Sequence, residues 1–182
     1  MKTLARRPQH GRAGFSLLEV LISATVFVLV AGAVVTTLVI SNALNTTNRE
    51  TMLASQAAQS ALEALKGVPF DQVFARYNAT SADDPAGVDS PGNVFEVREL
   101  DPLADDADDM AGTIEFPGDG VQLREDGDDR DLGLPRDLDG DGNTDAANHA
   151  ANYRILPVRA IVEWHGKTGD RRLELVTVLT DR

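Results

Sequence analysis

Residues 15–40, FSLLEVLISATVFVLVAGAVVTTLVI, form one apolar run broken only by small hydroxyl side chains and a single acid, Glu19. About 20 helical residues at 1.5 Å each cross a hydrocarbon core, so the run is long enough to span a bilayer. It exceeds the usual apolar region of a cleaved secretory signal, and no small-x-small site follows it closely. Lys2, Arg6, Arg7 and Arg12 precede it, residues 1–14 hold no acid, and an acidic bulk follows. The positive-inside rule then predicts a cytoplasmic amino terminus and a body on the far side of the membrane.

Glu19 is the anomaly in this run. A carboxylate deep in a membrane helix costs about 2.5–3.5 kcal/mol on insertion scales, so such a group normally has a partner. The apolar run holds no cation, and the nearest ones in sequence are Arg12 behind it and Arg49 ahead. A cut between Gly14 and Phe15 would place a new positive amine one helical turn before Glu19. The two charges can then pair within a chain or between neighbouring chains.

The stretch Gly14-Phe15-Ser16-Leu17-Leu18-Glu19-Val20, with its basic leader and apolar helix, resembles the amino-terminal signal of type IV prepilins and type II secretion pseudopilins. The resemblance implies that a membrane prepilin peptidase cuts after Gly14 and that Phe15 becomes the methylated first residue. Glu19 would then be the fifth residue of the mature chain and would meet the terminal amine of an adjacent subunit. A head-to-tail contact of that kind does not close on itself, so it builds a helical filament. The implied partners are the peptidase, other pilins or pseudopilins and an inner-membrane assembly platform.

Residues 41–66, SNALNTTNRETMLASQAAQSALEALK, contain no Gly or Pro and favour helix. Leu44, Met52, Leu53, Ala57, Ala58, Ala61, Leu62 and Leu65 form an apolar stripe at spacings near 3 and 4. Gly67 and Pro69 predict its end. One helix of about 50 residues, roughly 75 Å, is therefore expected, as the pilin resemblance also implies. Pilins often carry a proline in the apolar half; here Gly32 is the one weak point. The segment Leu62–Phe70 and the following Asp71 resemble the helix end of minor pilins of the type IV pilus modification kind.

The rest of the chain, residues 68–182, reads as a head. Val94–Leu100, Thr113–Phe116 and Val121–Arg124 are short strand candidates. Tyr153–His165 and Arg171–Thr180 are rich in branched residues and flank Gly166-Lys167-Thr168-Gly169-Asp170, which predicts a hairpin over about 153–180 with Trp164 in the core. A hairpin alone is marginal, so the second half of the helix should cover it. The expected fold is α+β, a long helix on a small antiparallel sheet, with a leader at 1–14, a membrane or filament-core segment at 15–40 and a helical continuation at 41–67.

Residues 82–148 hold 21 Asp and Glu against 4 Arg, which reads as a solvated insert. Within it, Asp137-Leu138-Asp139-Gly140-Asp141-Gly142-Asn143-Thr144-Asp145 alternates oxygen ligands with glycines at the bends. A Ca2+ loop needs that pattern, with side-chain oxygens from Asp137, Asp139, Asp141 and Asp145 and the carbonyl of Asn143. The loop resembles an EF-hand loop but has Asn148 where the twelfth-position Glu belongs, and no flanking helices are evident. Asp126, Asp128, Asp129 and Asp131 have poor spacing for a second site.

A formal net charge of -12 argues against nonspecific nucleic-acid binding. Without cysteine the chain has no disulfide and no thiol nucleophile. His10, His149 and His165 are scattered, no His-Glu pair suits zinc, and adjacent acids such as Glu125 and Asp126 read as solvated charge. No enzyme is expected. The leading expectation is a minor pilin or pseudopilin. The alternatives are a membrane-anchored calcium-dependent binding domain that does not polymerise, and a secreted protein with an ordinary signal peptide.

Overall fold

The computed structural model describes residues 16–80, 82–85, 87 and 90–181. Helix α1 runs Leu17–Lys66. It is followed by a 3-10 turn at Phe70–Gln72 and by the short helix α2 at Val73–Tyr77. Strands β1 (Val94–Phe95), β2 (Gly112–Glu115), β3 (Ile155–Gly166) and β4 (Gly169–Thr180) form one antiparallel sheet in the order β1-β2-β3-β4. This is the α+β, pilin-like architecture expected. The chain divides into two compact units, Met1–Asn42 and Ala43–Arg182.

In the first unit, the described residues are the apolar half of α1, and none of them is buried. Fifteen Leu, Ile, Val and Phe side chains between Leu17 and Ile40 are each more than half exposed. At ~0.3–0.6 kcal/mol each on insertion they contribute roughly 5–9 kcal/mol, which outweighs one charged Glu19. By length and composition α1 is the one helix among the described residues able to cross a membrane.

The second unit is built around β3. Leu156, Val158, Ala160, Val162 and Trp164 alternate along it and join Ala54, Ala58, Leu62 and Leu65 of α1 in one core. The small Ala54 and Ala58, both fully buried, lie in the same row as the two leucines. The observed stripe is 54-58-62-65, close to one turn per step. It differs from the predicted one: Leu44 and Met52 are exposed, and Ala54 is buried. Apolarity alone did not reveal that a small alanine, rather than the larger Met52, would occupy the buried row.

The hairpin closes at Gly166 and Gly169 around Lys167-Thr168, as the turn residues predicted. Pro157 lies beyond the end of β2, where β3 has one neighbouring strand, so its missing N–H is tolerated. Two other strand candidates are shorter or absent. Val94–Leu100 stops after Phe95; Glu99 has φ 68, and Leu100 N–H donates back to Val97 O at 3.3 Å. At Val121–Arg124 the Asp119 carboxylate accepts N–H bonds from Val121 (3.0 Å) and Gln122 (2.7 Å). That turn leaves only an isolated bridge between Gly118 and Leu123. Tyr153 secures α2 to the sheet: its hydroxyl donates to Phe70 O at 2.5 Å and accepts Phe74 N–H at 3.3 Å.

The acidic stretch is not merely solvated. It supplies β1 and β2, and Leu123, Leu132, Leu134 and Leu138 within it are buried. On the face of β3 that carries Pro157, Arg159 and Ile161, the Arg159 guanidinium holds Glu115 (2.7 Å) and Asp129 (2.9 Å). Burial opposes the charge on Asp129, but N–H bonds from Leu132 and Asp131 and the Arg159 charge outweigh it and hold its carboxyl below the ordinary range.

Two predictions follow from this packing, both read by urea unfolding in detergent with fluorescence of the single Trp164. Ala54→Leu should destabilise the head by ~1–3 kcal/mol through overpacking, whereas Met52→Ala should change it by about 0.5 kcal/mol or less. Because the folded-state pKa of Asp129 is depressed, its contribution is complete above the ordinary carboxyl range and is lost as pH falls through the lower folded value. Asp129→Asn should therefore be less stable at neutral pH and decline less steeply below about pH 4.

Candidate functional site

Two regions carry the residues singled out from sequence. The first is the start of α1. Gly14 and Phe15 lie outside the described residues. Ser16 caps the helix: its Oγ accepts the N–H of Glu19 at 3.2 Å. Ser16-Leu17-Leu18-Glu19 thus follows the S-x-x-E capping pattern, a helix-start signal present in the sequence itself. The cap settles one of the four amide groups that a helix start leaves open, which matters most where water is scarce. Glu19 sits in the first turn, where the helix dipole favours an anion. Among the described residues no cation faces its carboxylate. The hydroxyls of Thr25, Thr36 and Thr37 donate to carbonyls one turn back, at 2.8, 3.0 and 2.9 Å, so these polar groups are satisfied within the helix itself.

The second region is the acidic loop after Arg136. Asp137 organises it: Oδ1 accepts Gly140 N–H at 2.6 Å and Oδ2 accepts Gly142 N–H at 2.8 Å. Those bonds, first the one to Gly142, hold the Asp137 carboxyl below its ordinary pKa. Both glycines have positive φ, +82° and +92°, which L side chains rarely adopt. Asp139 Oδ1 accepts Asp141 N–H at 3.0 Å, and Asp141 Oδ1 accepts Asn143 N–H at 2.7 Å. Each acid bends the chain by bonding an amide two residues on. Arg154 N–H donates to Leu138 O at 2.7 Å and ties the loop to the start of β3.

Beneath the loop lies Glu125, 1% exposed. Its Oε1 accepts N–H bonds from Leu138 (2.6 Å) and Asp139 (3.3 Å), and its Oε2 accepts that of Asp145 (3.3 Å). This corrects the sequence reading, which took Glu125 and Asp126 together as solvated charge. Asp126 is at the surface and pairs with Arg124 at 2.8 Å, while Glu125 points inward. His149 is not isolated either. Its side chain is buried, with Nε2 3.2 Å from Asp145 and 3.6 Å from Glu125, and Nδ1 3.4 Å from Asp139. Burial opposes its protonation, but the Asp145 hydrogen bond and the charges of Glu125, Asp139 and Asp145 prevail, so its pKa is raised. A His-Glu pair therefore exists. The separation of 24 positions between the two partners hid it from any spacing rule.

Of the five predicted ligands, the fold brings Asp137 and Asp139 together with Glu125, and Asp145 together with Glu125 and His149. The Asp141 carboxylate joins neither group, and both Asp141 and Asn143 are exposed. Asp129, considered for a second site, is engaged by Arg159. Near these residues an open cleft of about 720 Å³ is lined by Thr113, Glu115, Arg124, Asp126, Asp129 and Arg159. Both of its arginines are already engaged, Arg124 with Asp126 and Arg159 with Glu115 and Asp129.

No curated protein and no solved structure matches the chain. A family profile does match at the amino terminus: the prokaryotic N-terminal methylation motif, over residues 9–35. The match covers the basic residue Arg12, Gly14, Phe15, Glu19 and the apolar start of α1. The chain therefore carries a type IV prepilin-like signal at the head of a helix able to anchor it in a membrane.

Proposed function

We propose that the chain is a minor pilin or pseudopilin, a structural subunit that enters a type IV pilus or type II secretion-like filament through its amino-terminal helix. The observation that carries this reading is the conjunction of the methylation motif with a run of apolar helix that finds no cover among the described residues. A large bare apolar surface requires lipid or other helices around it. A filament core built from copies of such helices supplies that environment after the membrane has done so.

In this reading the precursor sits in the inner membrane with the basic leader in the cytoplasm. Prepilin peptidase cuts after Gly14, and Phe15 is methylated. The new amine of one subunit meets Glu19 of another inside the apolar core. In low dielectric the attraction is strong once both groups are desolvated together, and either charge alone is penalised. The pair thus sets the axial register between subunits. The assembly platform and neighbouring pilins are the partners.

A second part of the reading concerns the 137–145 loop, which we assign to Ca2+. In its favour, Asp137 already holds the amides of Gly140 and Gly142, so the backbone has the tight bends that alternating oxygen ligands need. An anchored calcium-binding domain without polymerisation is the reading that remains if processing fails.

Co-expression of the full chain with a prepilin peptidase tests the main proposal. Mass spectrometry should find a product that begins at Phe15 and carries one added methyl group; an uncut chain retaining Met1 would refute it. Glu19→Gln should still be cut but should enter filaments far less. Leaving one charge of a buried pair alone costs about 3–5 kcal/mol, or a fall of roughly a hundredfold or more. Immunoblotting of sheared filaments against membranes reads this ratio.

A further inference from the structure

The 137–145 loop has Asn148 in the position where a bidentate Glu completes a calcium loop. The fold supplies a carboxylate there from elsewhere. We propose that Glu125 closes a Ca2+ site on this loop, its side-chain oxygens joining the carboxylates of Asp137 and Asp139 around one ion. This inference rests on the calcium reading of the loop and names the residue that this reading lacked.

One carboxylate oxygen each from Glu125, Asp137 and Asp139 lies within 4.8 Å of the other two. Calcium binds oxygen at about 2.3–2.6 Å, so two ligands on opposite sides of one ion stand about 4.8 Å apart. The three carboxylates are therefore close enough to share a cation with little movement. Glu125 is brought there by backbone stitching. Asn148 Oδ1 accepts the N–H of Leu123 at 3.1 Å, His149 N–H donates to Leu123 O at 2.8 Å, and Arg136 N–H donates to Glu125 O at 3.1 Å. Asn148 thus does not act as the twelfth ligand; it fastens the end of the loop to the segment that delivers Glu125.

A second observation points to a ligand at the same place. His149 is 5% exposed and the only base among these carboxylates, and its Nδ1 makes no hydrogen bond although Asp139 Oδ2 is 3.4 Å away. No Lys or Arg among the described residues pairs with Glu125, Asp137, Asp139 or Asp145. Three carboxylates, Glu125, Asp139 and Asp145, around one imidazole leave a shortfall of positive charge beside the buried Glu125, where uncompensated charge is penalised. A divalent cation makes up that shortfall. Glu125, Asp137 and Asp139 offer oxygen alone, which selects a hard cation such as calcium. The neighbouring group of Glu125, Asp145 and His149 is the one a borderline metal such as zinc would prefer.

The test uses the full chain in detergent, stripped with EDTA and titrated with CaCl2, MgCl2 or ZnCl2, with thermal unfolding followed by Trp164 fluorescence. Calcium should raise the Tm of the wild type. Glu125→Gln keeps an oxygen for the Leu138 and Asp139 amides, and its calcium midpoint should rise by about tenfold or more. His149→Gln should leave the calcium midpoint within about threefold of wild type, since no imidazole is among the proposed calcium ligands. If Glu125→Gln matches the wild type while Asp137→Asn loses the response, Glu125 is not a ligand and the calcium loop stands without it. A response to zinc alone, abolished in His149→Gln, overturns the assignment in favour of the nitrogen-containing group. No response to calcium in any of the proteins overturns both the loop and Glu125. Infrared difference spectra of wild-type chain labelled with carboxyl-13C glutamate give a readout that needs no variant: calcium should shift a labelled glutamate carboxylate band. Movement of unlabelled aspartate bands alone would count against Glu125.

Discussion

The head depends on one strand that must be covered on both sides. β3 alternates large apolar residues toward α1 with Pro157, Arg159 and Ile161 on its other face, and nearly all of them are buried or close to it. A sheet of four strands, two of them very short, cannot shield such a strand by itself. The carboxyl-terminal half of α1 covers one face with a row of two alanines and two leucines. On the other face Arg159 provides the anchor, and the acidic segment is drawn in by Glu115 and Asp129. The charge-rich middle of the chain is thus a structural cover as well as a solvated surface.

That arrangement explains how so acidic a segment is ordered. Its carboxylates are spent largely on backbone amides close in sequence: Asp119, Asp129, Asp137, Asp139, Asp141 and Asp145 each accept N–H groups a few residues on. Each such bond replaces a regular ladder with a local bend, and an anion beside several amides is stabilised in its charged form. Buried leucines between the bends attach the segment to the core. Repulsion among the acids is thereby held in a fixed geometry, and it concentrates around Glu125 and His149.

The apolar half of α1 follows another logic. The hydroxyls of Thr25, Thr36 and Thr37 are satisfied internally, the Glu19 amide is capped by Ser16, and its apolar side chains meet no protein cover among the described residues. Such a helix is complete as a backbone and incomplete as a surface. Such a surface is covered by lipid or by other helices, and the prokaryotic N-terminal methylation motif overlaps its first part.

The sequence by itself determined the elements whose signals are local. The apolar run, the prepilin-type residues around Gly14, the helix end at Gly67 and Pro69, and the turn at Lys167-Thr168 all rest on neighbours within a few positions, where composition and spacing act directly. The Ser16-x-x-Glu19 cap is a signal of the same local kind. Tertiary structure decided what depends on residues far apart. Ala54 rather than Met52 faces the core because Ala54 stands in the row with Ala58, Leu62 and Leu65 that packs on the sheet residues. The third strand candidate became a turn because Asp119 bonded its amides. Glu125 turned inward while Asp126, one residue on, stayed at the surface, since Arg124 was available to one and the amides of Leu138, Asp139 and Asp145 to the other. Hydrogen-bond partners 13 to 20 positions away, and an ion-pair partner 24 positions away, carry no periodicity, so only the folded chain could bring that carboxylate and His149 to the same place.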